Sequence, residues 1–139
     1  MGEFGGREDD VSDAATKRTV LVVEDEPGIR LALSRALGRE GYAVLTAANG
    51  ADALRLTAER REIDVVVTDL TMPHMTGKQL VARLEAERPG LPIVLMSGYA
   101  PALLDGQRMA HHFLQKPFPI ERFLRAVADA LAGAPASDR

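Results

Sequence analysis

The sequence predicts an α/β fold, with one parallel sheet covered by helices on both faces. Three observations predict it. Strand-like and helix-like patterns alternate through five units between Thr19 and Leu131. The strand-like runs are continuously apolar, as strands buried on both faces are. The chain has 139 residues, 46% hydrophobic and 27% charged, which suits a single core.

Taken in order, TVLVV (Thr19 to Val23) is a short apolar strand. In EDEPGIRLALSRALGREG, Pro27 suits a first helical turn, Ile29, Leu33 and Leu37 recur at helical spacing, and Gly41 suits the stop. YAVLT is the second strand, and ADALRLTAERR a helix with Ala53, Leu54 and Thr57 on one side. IDVVVTD is the third and most apolar strand. GKQLVARLEAERPG gives a helix with Leu80, Val81 and Leu84 on one face, ended by Pro89-Gly90. LPIVLMS is the fourth strand. PALLDGQRMA is a poor helix, weakened by Gly106. HHFLQ is the fifth strand, and Ile120, Phe123, Leu124, Val127 and Leu131 mark an amphipathic last helix.

The domain therefore spans 19–132. Residues 1–18, rich in Gly and acids, read as a disordered lead-in or a cloning remnant, and 133–139 as a flexible tail. The net charge of −3, with scattered arginines, gives no footprint for nucleic acid. With no cysteine, disulfide and thiol chemistry are excluded. No apolar run is long enough to span a bilayer and no signal peptide is evident, so a cytoplasmic location is expected.

In parallel α/β sheets the site lies beyond the carboxyl ends of the strands. Here the first strand leads to Glu24-Asp25, the third ends on Asp69, the fourth on Ser97, and the fifth leads to Lys116. A carboxylate at the tip of a buried strand has to be paired, metal-bound or chemically employed. Three carboxylates meeting at one edge repel one another and invite a cation. All-oxygen ligands favour a hard ion such as Mg²⁺, which completes its shell with water and phosphate oxygens. With an ammonium and a hydroxyl beside it, the set suits phosphoryl transfer to a carboxylate nucleophile. Asp69, on the central strand, is the candidate.

The pieces VLVVEDEP, VVVTDLTMPHMTG, PIVLMSG and FLQKPF, in this order and spacing, resemble the receiver domain of two-component response regulators. The resemblance implies a flavodoxin-like (βα)5 fold with strand order 2-1-3-4-5. It implies that Asp69 accepts a phosphoryl group from a phosphohistidine on a histidine kinase or phosphotransfer protein. Asp25, Asp69 and the backbone carbonyl of Thr71 would ligate Mg²⁺, with Glu24 acting through water. Ser97 would bond the phosphoryl group and Lys116 would pair with it, ahead of a cis Lys116–Pro117 bond. Ser97 and Phe113 would form the switch, the ring turning inward as Ser97 moves toward the phosphate. The resemblance implies a single-turnover signalling switch rather than an enzyme, acting on a downstream protein or its own kinase core, with a possible phosphorylation-linked homodimer. LMSGYA and FLQKPF also resemble receivers attached to hybrid sensor histidine kinases, while a stand-alone regulator fits nearly as well.

Two positions depart from the family pattern. Glu24 stands where Asp is common, and Ser97 where Thr is, but neither removes a needed group. Thr71 and Tyr99 flank the phosphoryl site, where family members vary. Simpler readings exist for single residues. Glu24 and Asp25 would serve as caps for the helix at Pro27, Lys116 as a solvated lysine, Ser97-Gly98 as a turn. None of them accounts for Asp69. His74, His111 and His112 are expected to be neither ligands nor phosphohistidines, and Met72, Met75, Met96 and Met109 to fill packing gaps. The alternatives are a phosphorylation-independent pseudo-receiver that serves as an interaction module, and an aspartyl phosphatase. The first would lack one of the key residues, and the second would want an acid where Thr71 stands. No Gly-rich phosphate loop follows the first strand, which disfavours a nucleotide or flavin binder.

Overall fold

Alternation along each strand divides the apolar runs into two rows, and each row meets its own pair of helices. The computed structural model describes residues 17–72, 75–98 and 111–133. Among them are strands β1 (Thr19–Val23), β2 (Ala43–Ala47), β3 (Ile63–Asp69), β4 (Ile93–Ser97) and β5 (His112–Gln115), with helices α1 (Pro27–Arg39), α2 (Gly50–Glu59), α3 (Gly77–Glu87) and α4 (Ile120–Leu131). The strands form one parallel sheet in the order β2-β1-β3-β4-β5, the flavodoxin-like order the sequence implied. The lead-in 1–16, the tail 134–139, His74, Tyr99 and the helix-like stretch 101–110 with Met109 lie outside the described residues.

Val20, Val22, Val65, Val67, Val94, Met96 and Leu114 pack against Leu33 and Leu37 of α1 and Phe123, Val127 and Ala130 of α4. The intervening residues Leu21, Val23, Val66, Ile93, Leu95 and Phe113 pack against Ala53 and Leu54 of α2 and Leu80, Val81 and Leu84 of α3. The sheet is thus doubly wound. Burying each large apolar side chain is worth about 1.5–3 kcal/mol, so a central strand apolar on both faces is the best-anchored part of the chain. That strand is β3, and it delivers Asp69.

The helix ends follow local chemistry. Pro27 opens α1, but the cap is Glu26, whose Oε1 accepts from Ile29 N at 3.1 Å, rather than Glu24 or Asp25. Gly41 follows α1 with φ of +96°, a conformation glycine adopts without strain. Asn49 caps α2, and Thr76 with Gln79 forms a reciprocal capping box on α3. Three strand starts shift by a residue or two: β2 begins at Ala43, β4 at Ile93 and β5 at His112, where the paired register begins. Ile120 is more than a third exposed, because the first turn of α4 lies beyond the cover of the core. Ala126 and Ala130 complete the buried stripe instead.

Candidate functional site

Register brings the polar residues to one level. Val23 lies opposite Thr68 and Ala47, and Glu24 N extends the ladder by donating to Ala47 O at 3.0 Å. Glu24 therefore stands beside Asp69, which lies opposite Met96. Leu70 N donates to Met96 O at 2.9 Å, and Lys116 N to Ser97 O at 2.7 Å, so backbone bonds fix every chain that carries a site residue as it leaves the sheet. By strand alternation Glu24, Asp69 and Lys116 continue the row that faces α1 and α4. Ser97 and Phe113 continue the other.

Asp69 is 6% exposed and held at both oxygens. Thr71 N donates to Oδ1 at 3.1 Å, and Lys116 Nζ donates to Oδ2 at 3.0 Å. Lys116 Nζ also donates to Glu24 Oε1 at 3.2 Å, while Glu26 N donates to Glu24 Oε2 at 3.2 Å. Glu24 is 1% exposed and Asp25 is exposed at the open side. One carboxylate oxygen from each of Glu24, Asp25 and Asp69 lies within 4.8 Å of the other two.

Among the described residues one ammonium, that of Lys116, is bonded within this set of three carboxylates, to Glu24 and Asp69. The cluster is short of positive charge, and its all-oxygen donor set suits a hard divalent ion such as Mg²⁺. The residues present fit that ion. Burial pushes the Glu24 carboxyl above its ordinary value; the Glu26 N–H opposes this, the charge of Asp69 adds to it, and Lys116 offsets part of it. Burial alone would depress the Lys116 ammonium, but its hydrogen bonds to Asp69 and Glu24 and their charges hold it above its ordinary value.

The remaining expected residues have definite places. Ser97 is fully buried at the end of β4, and Phe113 is buried inside the α2–α3 core, so its ring already points inward. The Lys116–Pro117 bond is cis. Met72 and Met96 are buried and Met75 is partly so, as expected of gap-filling side chains. His111 bonds Glu85 at 2.6 Å and His112 is buried; neither joins the acidic cluster.

The response regulator receiver domain model matches residues 20–128. The chain belongs to that family. This receiver domain is 37% identical over 123 residues to the transcriptional regulatory protein GlrR of Escherichia coli, covering 86% of this chain and 28% of GlrR. It is 36% identical over 124 residues to the sensor kinase CckA of Brucella abortus, covering 86% of this chain and 13% of CckA. The chain thus spans a minor part of the relatives it matches. Among solved structures, the Thermotoga maritima response regulator TrrA in complex with Mg²⁺-BeF superposes with a TM-score of 0.75 at 30% identity, covering 82% of this chain and 99% of that one. Among the described residues no helix is long and apolar enough to cross a membrane.

Two contacts with the backbone of the site escaped the sequence reading. Arg30 Nη1 donates to the backbone carbonyl of Glu24 at 2.7 Å, a contact foreshadowed only by an arginine one turn into the helix after an acidic pair. Gly77 packs on the backbone of Asp69 and Leu70, which no local pattern discloses.

The raised Glu24 carboxyl has a consequence for stability. The native state keeps a proton there that the unfolded chain has released, so stability falls as pH rises through the interval opening at the ordinary value of 4.5. Glu24→Gln, which cannot titrate, is expected to remove that slope. Urea melts from pH 4.5 upward check it; an unchanged slope would refute it. The raised Lys116 ammonium acts at the other end of the range, its contribution being present below the ordinary value of 10.5 and lost as pH rises through the higher folded value.

Proposed function

We propose that this receiver domain takes a phosphoryl group from a phosphohistidine onto Asp69 in a Mg²⁺-dependent reaction. The observation that carries the reading is the grip on Asp69, one oxygen on Thr71 N and the other on Lys116 Nζ, within reach of Glu24 and Asp25. A carboxylate fixed at both oxygens is aimed before the donor arrives, which favours in-line attack. One Asp69 oxygen bonds to phosphorus, the phosphorus–nitrogen bond breaks, and the imidazole nitrogen of the donor keeps the electron pair.

Mg²⁺, held by Asp25, Asp69 and the Thr71 carbonyl with Glu24 acting through water, would supply charge neutralisation at the phosphoryl oxygens. Lys116 pairs with the product anion, and Ser97 donates its hydroxyl to it. Phe113 shares the sheet face of Ser97 by alternation, so a shift of Ser97 acts on the packing of that ring and on the β5 surface. The Mg²⁺-BeF complex of TrrA supports a site of this kind here. The similarity to part of CckA supports a histidine kinase or phosphotransfer protein as donor, in a stand-alone or hybrid protein with a cytoplasmic receiver. The unit folded for this purpose is 19–132.

The test is intact mass after incubation with acetyl phosphate, with Mg²⁺ or with EDTA. A phosphoryl adduct formed only with Mg²⁺ is expected. If no adduct forms and beryllofluoride does not bind, the domain is a pseudo-receiver and the acidic cluster serves another purpose.

A further inference from the structure

We infer that Arg30 is a positioning residue for the cation pocket, clamping the Glu24–Asp25 turn so that both carboxylates reach Asp69. The inference rests on the Mg²⁺-dependent reading above. Arg30 lies one turn into α1, and its guanidinium Nη1 donates to Glu24 O at 2.7 Å. Its backbone N donates to Glu26 O at 2.9 Å. Arg30 therefore holds the carbonyls on both sides of Asp25. Ser34 Oγ in turn donates to Arg30 O at 2.7 Å.

This hold matters because of what Asp25 lacks. Among the described residues the exposed Asp25 carboxylate makes no hydrogen bond of its own, so the backbone decides where it stands. Glu24 is fixed by Lys116 and Glu26 N at its carboxylate, and its carbonyl is fixed by Arg30. A charge-assisted bond of this length resists rotation of the Glu24–Asp25 peptide, which would swing Asp25 away from the cluster.

A clamp and a mere neighbouring cation predict opposite signs. A nearby positive charge repels Mg²⁺, so deleting it would tighten Mg²⁺ binding. Deleting a clamp lets Asp25 wander and weakens binding, as loss of an outer-shell partner does at other metal sites.

The experiment is Mg²⁺ titration of the whole chain by calorimetry, with wild type, Arg30→Ala, Arg30→Gln and Arg30→Lys, each checked for folding by circular dichroism. Arg30→Ala is expected to weaken Mg²⁺ binding about tenfold, and Arg30→Gln, which keeps a donor without charge, to lie between it and wild type. Arg30→Lys keeps the charge but not the planar fork, so it too is expected to bind more weakly than wild type. If Arg30→Ala does not fold, Arg30→Lys decides. Wild-type affinity in Arg30→Lys, or equal or tighter binding in a folded Arg30→Ala, overturns the clamp. A variant that loses stability while its Mg²⁺ affinity is unchanged does the same. Wild type that binds no Mg²⁺ overturns the parent reading and the clamp with it, an outcome distinct from wild type that binds while the variants match it.

Discussion

Asp69→Asn is expected to abolish Mg²⁺-dependent phosphoryl incorporation while leaving the fold in place. An amide is no nucleophile toward phosphorus at neutral pH, so the loss should be complete rather than graded. The substitution keeps volume and shape. Asn Oδ1 can still accept from Thr71 N, the bond that now runs at 3.1 Å. The end of β3 stays tied through Leu70 N to Met96 O. What changes is charge: Lys116 loses one of its two carboxylate partners and retains Glu24. The check is intact mass after acetyl phosphate, with a thermal melt alongside. An adduct of equal yield on the variant would place the acceptor elsewhere. A collapsed melt would assign Asp69 a structural duty that the present geometry does not require.

How far the site could be read from sequence depends on the range of each interaction. Asp69, Ser97 and Lys116 were legible because strand ends are legible: apolar runs of β-branched residues stop where the polar residue appears, and parallel α/β sheets put their chemistry there. The core rows were legible for the same reason, since alternation assigns Val20 and Val22 to one face and Leu21 and Val23 to the other. Boundaries were less so. Tyr42, Pro92 and His111 continue the composition of their strands but precede the paired register, and composition carries no record of where pairing begins. Caps were ambiguous by one turn. Glu24, Asp25 and Glu26 are all carboxylates beside Pro27, and it took backbone geometry to give the cap to Glu26 and the cluster to the other two. Arg30 illustrates a third limit. Its side chain bonds a backbone carbonyl, and carbonyls leave no trace in a pattern of side chains.

Gly77 marks the same limit most sharply, and Gly77→Ala is expected to damage both stability and phosphorylation. Gly77 is the first residue of α3, directly after its cap Thr76. Its backbone conformation is not left-handed, so flexibility is not what requires glycine. Space is. A Cβ at Gly77 would stand 2.4 Å from Leu70 Cα and 2.5 Å from Asp69 O. Both are backbone atoms at the end of the central strand, and Gly77 N donates to Leu70 O at 3.0 Å across the same contact. No side-chain rotation can relieve the clash, so either the first turn of α3 lifts away or the strand end moves. Lifting α3 uncovers Leu80, Val81 and Leu84, which are fully buried. Moving the strand end displaces the carboxylate held by Thr71 N and Lys116. Overpacking of this kind costs about 1–3 kcal/mol, and a misplacement of the nucleophile near 1 Å costs about a hundredfold in rate. Gly38, on the exposed side of α1 with open space around it, supplies the control. Gly38→Ala is expected to stabilise by about 0.5–1 kcal/mol and leave phosphorylation unchanged. Urea melts and the time course of the acetyl phosphate adduct read both variants. If Gly77→Ala phosphorylates at the wild-type rate with wild-type stability, the contact between α3 and the strand end does not hold Asp69 in place, and rigidity there comes from the sheet ladder alone.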